Sequence, residues 1–462
     1  MTQTNASYDV IVIGGGIAGL IAANRAAELG KRVVVLEKGA EEQYLCNSRY
    51  TYGTFHIHYS DVGADEATLY NKIETATEGF ARQDLARSIA KNGRRLMQWL
   101  KAEDVELVRL DGYQTNVLAP PWRKGFGLTW RGFAGDVALQ RLEGNFRKRQ
   151  GRILRGTRAR AIKLASDGIE LEAEGAGMLR AAAVVIADGG FQANLDMVRE
   201  HITPAADKLL QRNGGTAMGD GLRMAQALGA AVTGMQNFYG HLHNRDAMKT
   251  DRLWPRPYAD ELAASGIVID ADGRRVADEG RGGVYLSNAV ARLPDPLGTT
   301  VIFDQPIWDG PGTNHVQPPN PLMQEAGGTL HRADKIAELA EKIDVAPGRL
   351  QDTVDGYNAA FEAGTLGELS PPRTTQNRPW PIKTPPFYAM PICAAITNTM
   401  GGIVVNGDGA VLDANDKPIP GLYAAGSTIG GLNGGPHAGY VGGLINATIG
   451  LCAAEAIAGF KG

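Results

Sequence analysis

The side chains that could do chemistry in this sequence lie in a glycine-spaced turn near its start and in histidine-bearing segments further on. Gly14, Gly16 and Gly19 stand at the spacing G-x-G-x-x-G, and Glu37 follows at the distance where a carboxylate accepts hydrogen bonds from a ribose diol. Gly14 permits the tight turn, Gly16 lets backbone approach a pyrophosphate, and Gly19 lets a helix pack close to the preceding strand. Together they point to a bound dinucleotide. His437 and Tyr440 occupy a glycine-rich loop near the other end, where either could give or take a proton beside a reacting carbon; His437 could equally cap the turn. His56 and His58, and again His241 and His243, are spaced by one residue. On a strand each pair would point to one face and could hold a metal, but no carboxylate cluster accompanies them at ligand spacing, so no metal is assigned.

These groups need elements to position them. Residues 10–13 are a continuous apolar run, as a strand buried on both faces requires, and 33–36 form a second strand ended by Glu37. The helix between them presents its N-terminal N–H groups to an anion. Helical spacing recurs at 81–101, 135–149, 333–343 and 347–363, and alternation over 152–187 predicts several short strands. The last of these ends in Asp188-Gly189-Gly190-Phe191, a second close backbone approach. Gly219-Asp220-Gly221 opens a helix to about residue 228, with Asp220 available as its cap. From 237 to 392 prolines, tryptophans and histidines accumulate, which reads as an inserted second domain between 1–236 and a return at 393–462. The return carries glycine turns at 401–405 and 421–426 and a closing helix over 441–459.

Composition narrows the class of protein. The chain has 462 residues, 44% of them apolar, enough for two or three domains. A net charge of −3 and scattered Lys/Arg argue against a nucleic-acid partner. Three dispersed cysteines suggest no disulfide framework, zinc site or haem attachment and fit a reducing, cytoplasmic setting. An early first strand and the lack of long apolar segments leave no expected signal peptide or membrane span.

NAD and FAD share the opening turn, and the C-terminal return favours FAD. A strand ending in Gly421-Leu-Tyr-Ala-Ala-Gly426, beside a helix opening at Gly442-Gly443, can place a helix N-terminus against the pyrimidine end of a flavin. An ordinary packing helix is the plainer alternative. The sequence also resembles the flavoprotein family of fumarate reductases, tricarballylate dehydrogenases and 3-ketosteroid dehydrogenases. The likeness spans nearly the whole chain and rests on the opening turn, Asn47-Ser48, Gly189-Gly190-Phe191, Gly219-Asp220-Gly221, Thr399-Met-Gly-Gly402 and residues 420–426. It implies an α/β fold in which a Rossmann-like FAD-binding domain is interrupted by an inserted α+β capping domain holding the substrate against the flavin. The expected FAD contacts are Gly14, Gly16, Ile17, Ala18, Gly19, Glu37, Lys38, Asn47, Ser48, Arg49, Asp188, Gly189, Gly190, Asp220, Gly426, Ser427, Gly443 and Leu444.

The chemistry implied is hydride exchange between flavin N5 and a carbon near a carboxylate or ketone, making or removing a C=C bond. Departures from the family sharpen it. Arg49 stands where succinate dehydrogenases carry the flavin-linking histidine, so FAD is expected to be noncovalent. Asn398 and Tyr440 replace a dicarboxylate-binding histidine and arginine, which argues against fumarate itself, and Ser427 replaces a common glutamate. Arg281 resembles the proton-delivering arginine of fumarate reductases, though a salt bridge with Glu279 would serve as well. His437, Tyr440 and Arg281 are thus the acid/base candidates. His56, His58, Tyr59, His241, His243 and Arg256 are candidate substrate contacts, types suited to an anionic or keto group. A flavin monooxygenase or amine oxidase, or a noncatalytic FAD-binding subunit, are the competing readings. With no second glycine fingerprint, electrons are expected to move to or from an external quinone, reduced flavin, electron-transfer protein or dioxygen.

Overall fold

The computed structural model describes residues 7–109, 115–121, 127, 129–314 and 318–460. Its first sheet grows from the apolar run at the start of the chain. Ser7–Ile13 lies between Val33–Glu37 and Gly177–Ile186, parallel to both, with Ile11 opposite Val34 and Val184. Residues flanked by strands on both sides and covered on both faces must be apolar throughout, and Val10 to Ile13 are almost fully buried. Arg152–Arg155 and Pro418–Ala424 extend the parallel order on the two sides, so a segment from the far end of the chain completes the sheet.

Helix Ile17–Glu28 packs against Ala134–Lys148 and against the closing helix Thr448–Ala458. The latter contact is close because position 450 is glycine: a Cβ there would lie 2.6 Å from the Ala18 carbonyl. Arg25 and Arg95 meet on Glu455 at 2.7 and 2.9 Å, tying this helix layer together. The closing helix expected over 441–459 begins later. Val441 donates its N–H to Asn433 Oδ1, and Gly442-Gly443 carry the chain to a single 3-10 turn, Leu444–Ala447, before the helix starts. Two successive glycines are poor helix formers, which explains the delay.

A second sheet is largely antiparallel. Its centre is the thirteen-residue strand Phe387–Thr399, paired with Phe238–Asn244 and with Thr300–Asp304, which in turn pairs with Ile267–Ile269. The ladder from Asn244/Ile392 to Phe238/Thr399 runs across position 393 without a break there, because Cys393 to Ile396 are fully buried and remain strand-paired. That strand carries the chain from the cap back to the first sheet. No helix among the described residues is long and apolar enough to cross a membrane.

Candidate active site

The parallel strands all end on one edge of the first sheet, and a cleft lies beyond them. Fifteen of the residues expected at a cofactor line it: Gly14, Gly16, Ile17, Ala18, Glu37, Lys38, Asn47, Ser48, Asp188, Gly189, Asp220, Gly426, Ser427, Gly443 and Leu444. The crevice outside the carboxyl ends of such strands is where this architecture binds dinucleotides. Gly14 has φ of +103° and a Cβ there would sit 2.5 Å from the Ala187 carbonyl, so only glycine makes this turn. Gly16 has no side-chain cap, leaving the helix N-terminus open to an anion except where Ser48 Oγ accepts the Ile17 N–H at 3.0 Å. Glu37 accepts the N–H groups of Gly15 and Gly39 at 2.9 and 2.8 Å, which fixes its carboxylate at the cleft.

Asp188 bears most directly on a polar ligand. Oδ2 accepts the Gly221 N–H at 2.7 Å, while Oδ1 is buried without a protein partner. Burial pushes its pKa up to about 6. A ligand hydroxyl would satisfy this atom. Asp220, expected to cap its own helix, does not: Gly219 in the left-handed region is the cap, and Asp220 accepts a bidentate pair from Arg158 at 2.8 and 2.7 Å. Asp220 is the first residue of the helix itself, and its carboxylate faces Arg158 and Lys38.

Three expected contacts stand behind the cleft. A Cβ on Gly19 would lie 2.0 Å from the Gly14 carbonyl, and one on Gly190 would lie 1.9 Å from Thr399 Oγ1, so both glycines serve close packing of the cleft wall. Arg49 is fully buried and bound to Asp136, to Glu143 at 3.1 Å and to the Tyr44 carbonyl at 2.6 Å. Asn47 joins the two sheets, donating to the Thr397 carbonyl and accepting the Gly214 N–H, both at 2.8 Å.

The acid/base candidates divide into two places. His437 and Arg281 both bind Glu78 Oε1, at 2.7 and 3.0 Å, in a cluster whose glutamate is 43% exposed. Arg281 pairs also with Asp278 at 3.3 Å rather than with Glu279, which is buried against Arg275. Tyr440 lies elsewhere, in an aromatic group between the sheets. Its ring stacks on Tyr239 at 4.3 Å and meets His56 edge-on at 5.7 Å. Its hydroxyl lies 3.2 Å from where a Cβ on Gly443, itself part of the cleft wall, would stand.

The other candidates surround this group. His56 stacks on Tyr59 and accepts its N–H at 3.1 Å; burial lowers its pKa to about 4, so the imidazole is neutral. His58 binds the Tyr440 carbonyl at 3.3 Å. His241 pairs with Asp260 at 2.6 Å and with the Tyr239 hydroxyl at 2.9 Å, and it stacks on Tyr258. His243 is fully buried against the Leu253 carbonyl at 3.3 Å. Arg256 lies over the Tyr52 ring and beside the Tyr258 hydroxyl, to which Arg212 donates at 2.8 Å. Burial raises the Tyr258 pKa, but Arg212 and Arg256 outweigh it and the net shift is downward. Among the described residues no three His, Cys, Asp or Glu side chains meet as a metal site.

Tyr239, Asp260, Arg212 and Tyr258 are absent from the sequence expectations. Tyr239 was within reach: it precedes His241 by two residues, so strand alternation puts it on the same face. Asp260, Arg212 and Tyr258 come from other elements and carry no local signal.

Comparison with known proteins settles the family. Residues 9–439 match the FAD binding domain family. The chain belongs to it. FAD is accordingly the cofactor of the cleft, and the open helix N-terminus, the Gly14 turn and the unpartnered Asp188 oxygen fit it. The chain is 27% identical over 448 residues to NADH:fumarate oxidoreductase of Klebsiella pneumoniae, covering 94% of this chain and 46% of that protein. It is 26% identical to urocanate reductase of Eggerthella lenta, covering 91% and 70%. It thus spans about half to two thirds of these relatives' lengths. The structure of 3-ketosteroid-Δ4-(5α)-dehydrogenase from Rhodococcus jostii, in complex with 4-androstene-3,17-dione, superimposes with a TM-score of 0.74 at 20% identity, over 99% of this chain and 98% of that one. That likeness shows the fold: an FAD-binding domain with an inserted cap.

Proposed function

We propose that this chain is an FAD-dependent oxidoreductase acting on a CH–CH bond beside a carboxylate or ketone of a small molecule. The observation that carries the reading is Tyr440. Its hydroxyl lies 3.2 Å from where a Cβ on Gly443 would stand at the cleft wall, and its ring packs among tyrosines and histidines, with arginines beyond them. Bound FAD supplies a two-electron hydride acceptor or donor. The protein must then hold the substrate and handle one proton. Tyr440 is placed to hydrogen-bond a carbonyl or exchange that proton, and burial raises its pKa, keeping the phenol protonated at rest. Arg256 and Arg212 bring positive charge to the same region, suited to an anionic or keto group.

FAD is held noncovalently in this reading, because residue 49 is an arginine turned into a buried ion pair. Electrons come from or go to an external carrier, whether a quinone, a reduced flavin, an electron-transfer protein or dioxygen. Three free thiols fit a reducing, cytoplasmic setting. The test is anaerobic absorbance titration of the FAD-loaded protein, oxidised and reduced, with succinate, fumarate, cyclohexanone and cyclohexenone. A substrate in this class changes the flavin spectrum stoichiometrically. No change with any member refutes the substrate class, and oxygen consumption with a hydroxylated product refutes the dehydrogenase reading.

A further inference from the structure

His56 belongs to a segment whose backbone runs against its residue types. Ile57 and Ser60 exchange backbone hydrogen bonds at 3.0 and 2.9 Å, and the two residues between them, His58 and Tyr59, both have positive φ, +42° and +59°. A two-residue turn of this kind favours asparagine and glycine; side chains as large as these are strained in the left-handed region. What the turn achieves is to present the Tyr59 N–H to His56 Nδ1 at 3.1 Å. We infer that the turn fixes His56 as the Nε2–H tautomer, and that this N–H is the donor to the substrate's carbonyl or carboxylate oxygen beside Tyr440. The inference rests on the function proposed above and adds to it an electrophile, since Tyr440 handles only the proton.

The tautomer follows from the direction of one hydrogen bond. A backbone N–H can only donate, so Nδ1 accepts and carries no proton, and a neutral imidazole then holds its proton at Nε2. Burial lowers the His56 pKa to about 4, which agrees with a neutral ring, and the titratable groups facing it are His58, Tyr59 and Tyr440. The Nε2 of His243 is sealed in the interior without a partner. That of His56 likewise meets no hydrogen-bonding group among the described residues, but it is not sealed, so it opens on space that a ligand can enter.

The surroundings place this donor at the cleft. The His58 N–H bonds the Val441 carbonyl at 2.6 Å, docking the turn on the loop that carries Tyr440. A Cβ on Gly442 would lie 2.6 Å from the His56 carbonyl and 3.6 Å from Cε1, the carbon bonded to Nε2. Gly442 directly precedes Gly443 of the cleft wall. The Tyr440 ring stands edge-on to the imidazole at 5.7 Å, and Tyr59 covers one face of it, stacked within 8°. A carbonyl oxygen and its α carbon, separated only by the carbonyl carbon, can therefore meet Nε2–H and the phenol together.

The chemistry gives such a donor its use. When hydride is added to the β carbon of an unsaturated substrate, the C=C electron pair moves toward the carbonyl oxygen as an enolate. The α carbon then takes the Tyr440 proton, the carbonyl reforms, and the phenolate recovers a proton from water. Two C–H bonds form, one from hydride and one from the phenol, while His56 keeps its proton throughout. Its N–H stabilises charge on the oxygen at the stage where that charge is greatest. Oxidation runs the same steps backwards.

The test has two arms on the FAD-loaded protein. Nitrogen NMR of 15N-histidine-labelled protein, with His56→Phe assigning the signals, should find His56 protonated at Nε2 and bare at Nδ1 at pH 7. A proton on Nδ1, or on both nitrogens, overturns the inference whatever the substrate. In the second arm fumarate or cyclohexenone, whichever changes the flavin spectrum in the titration above, is bound to the oxidised protein, and isotope-edited infrared difference spectra read its C=O stretch. That stretch should rise in frequency from the parent protein to His56→Phe, and single-turnover reduction of the compound should slow by about 100-fold. His56→Gln, whose carboxamide can accept the Tyr59 N–H and donate in place of Nε2, should regain most of the rate. A slower turnover with an unchanged stretch marks a structural role and overturns the inference, as does an unchanged rate. If neither compound changes the flavin spectrum, the proposed function fails and the substrate contact with it, while the nitrogen spectra still decide the tautomer.

Discussion

Replacing Arg49 by methionine separates the structural role of this position from any role in holding the cofactor. Arg49 and Asp136 are both fully buried and paired to each other. Methionine roughly fills the side-chain volume and removes the charge. Glu143 keeps Arg155 at 2.5 Å and Arg147 at 3.6 Å, so its carboxylate stays compensated. Asp136 keeps only neutral donors, the Gly132 N–H at 2.8 Å and the Gln140 amide at 3.0 Å. Removing one partner of a buried pair costs about 3 to 5 kcal/mol, and with two donors remaining the expected loss is at the low end, about 3 kcal/mol. For 462 residues the entropy of unfolding is roughly 1 kcal/mol per degree, so the Tm falls by about 3 °C, and further if the FAD domain melts alone. Differential scanning calorimetry of the apo and FAD-loaded forms measures it. Adding Asp136→Leu to Arg49→Met should recover most of the loss, since an apolar replacement removes the orphaned charge. FAD affinity should change little, and Arg49→His should release all its FAD on acid precipitation, because residue 49 faces Asp136 and does not line the cleft. A Tm within 1 °C of the parent protein, or yellow colour retained in the Arg49→His pellet, refutes this account of the ion pair.

Gly19→Ala should weaken FAD binding by roughly 30- to 100-fold, about 2 to 3 kcal/mol, since its Cβ would lie 2.0 Å from the Gly14 carbonyl and must displace the turn; fluorescence titration that finds unaltered affinity contradicts it. Asp188 has a folded-state pKa raised by burial, so folding favours its protonated form: stability present below pH 3.8 is lost as pH rises through about 6. Asp188→Asn should therefore raise the apoprotein Tm relative to the parent at pH 8, by up to about 3 kcal/mol of stability, and much less at pH 4; an equal difference at both pH values rules this out. His437→Gln, which alters a partly exposed contact with Glu78, should change turnover less than about tenfold, whereas Tyr440→Phe should lower it by about 10²- to 10⁴-fold. Steady-state kinetics showing the reverse order would return the proton to His437.

The nucleotide half of the site was legible in the sequence because its determinants are local. A turn that demands φ of +103°, a helix that must approach a strand and a carboxylate at a strand end each restrict one residue within a short stretch, as Gly14, Gly19 and Glu37 show. The glycines at 189 and 426 carried the same kind of signal from distant segments, and the sheet brings all of them to one edge.

The catalytic half was legible only in part. His437, Arg281 and Tyr440 share glycine-rich surroundings in the sequence, yet two of them meet Glu78 near the surface and the third packs between the sheets. No local pattern foretells that division, since Glu78 belongs to a helix end far from all three. Likewise Arg49 reads as a cofactor neighbour until Asp136 and Glu143 are seen behind it.

Backbone geometry and periodicity act over a few residues, so the sequence alone determined the FAD turn, most strands of the first sheet, several of the helices and the unclustered charge, and it missed the strands of the second sheet. Proton transfer and ion pairing depend on distances of about 3 Å between side chains from separate elements. Tertiary packing therefore decided which histidine meets which carboxylate, setting Tyr239 and His241 of the strand Phe238–Asn244 beside Tyr440 and Asp260 from two other segments of the chain.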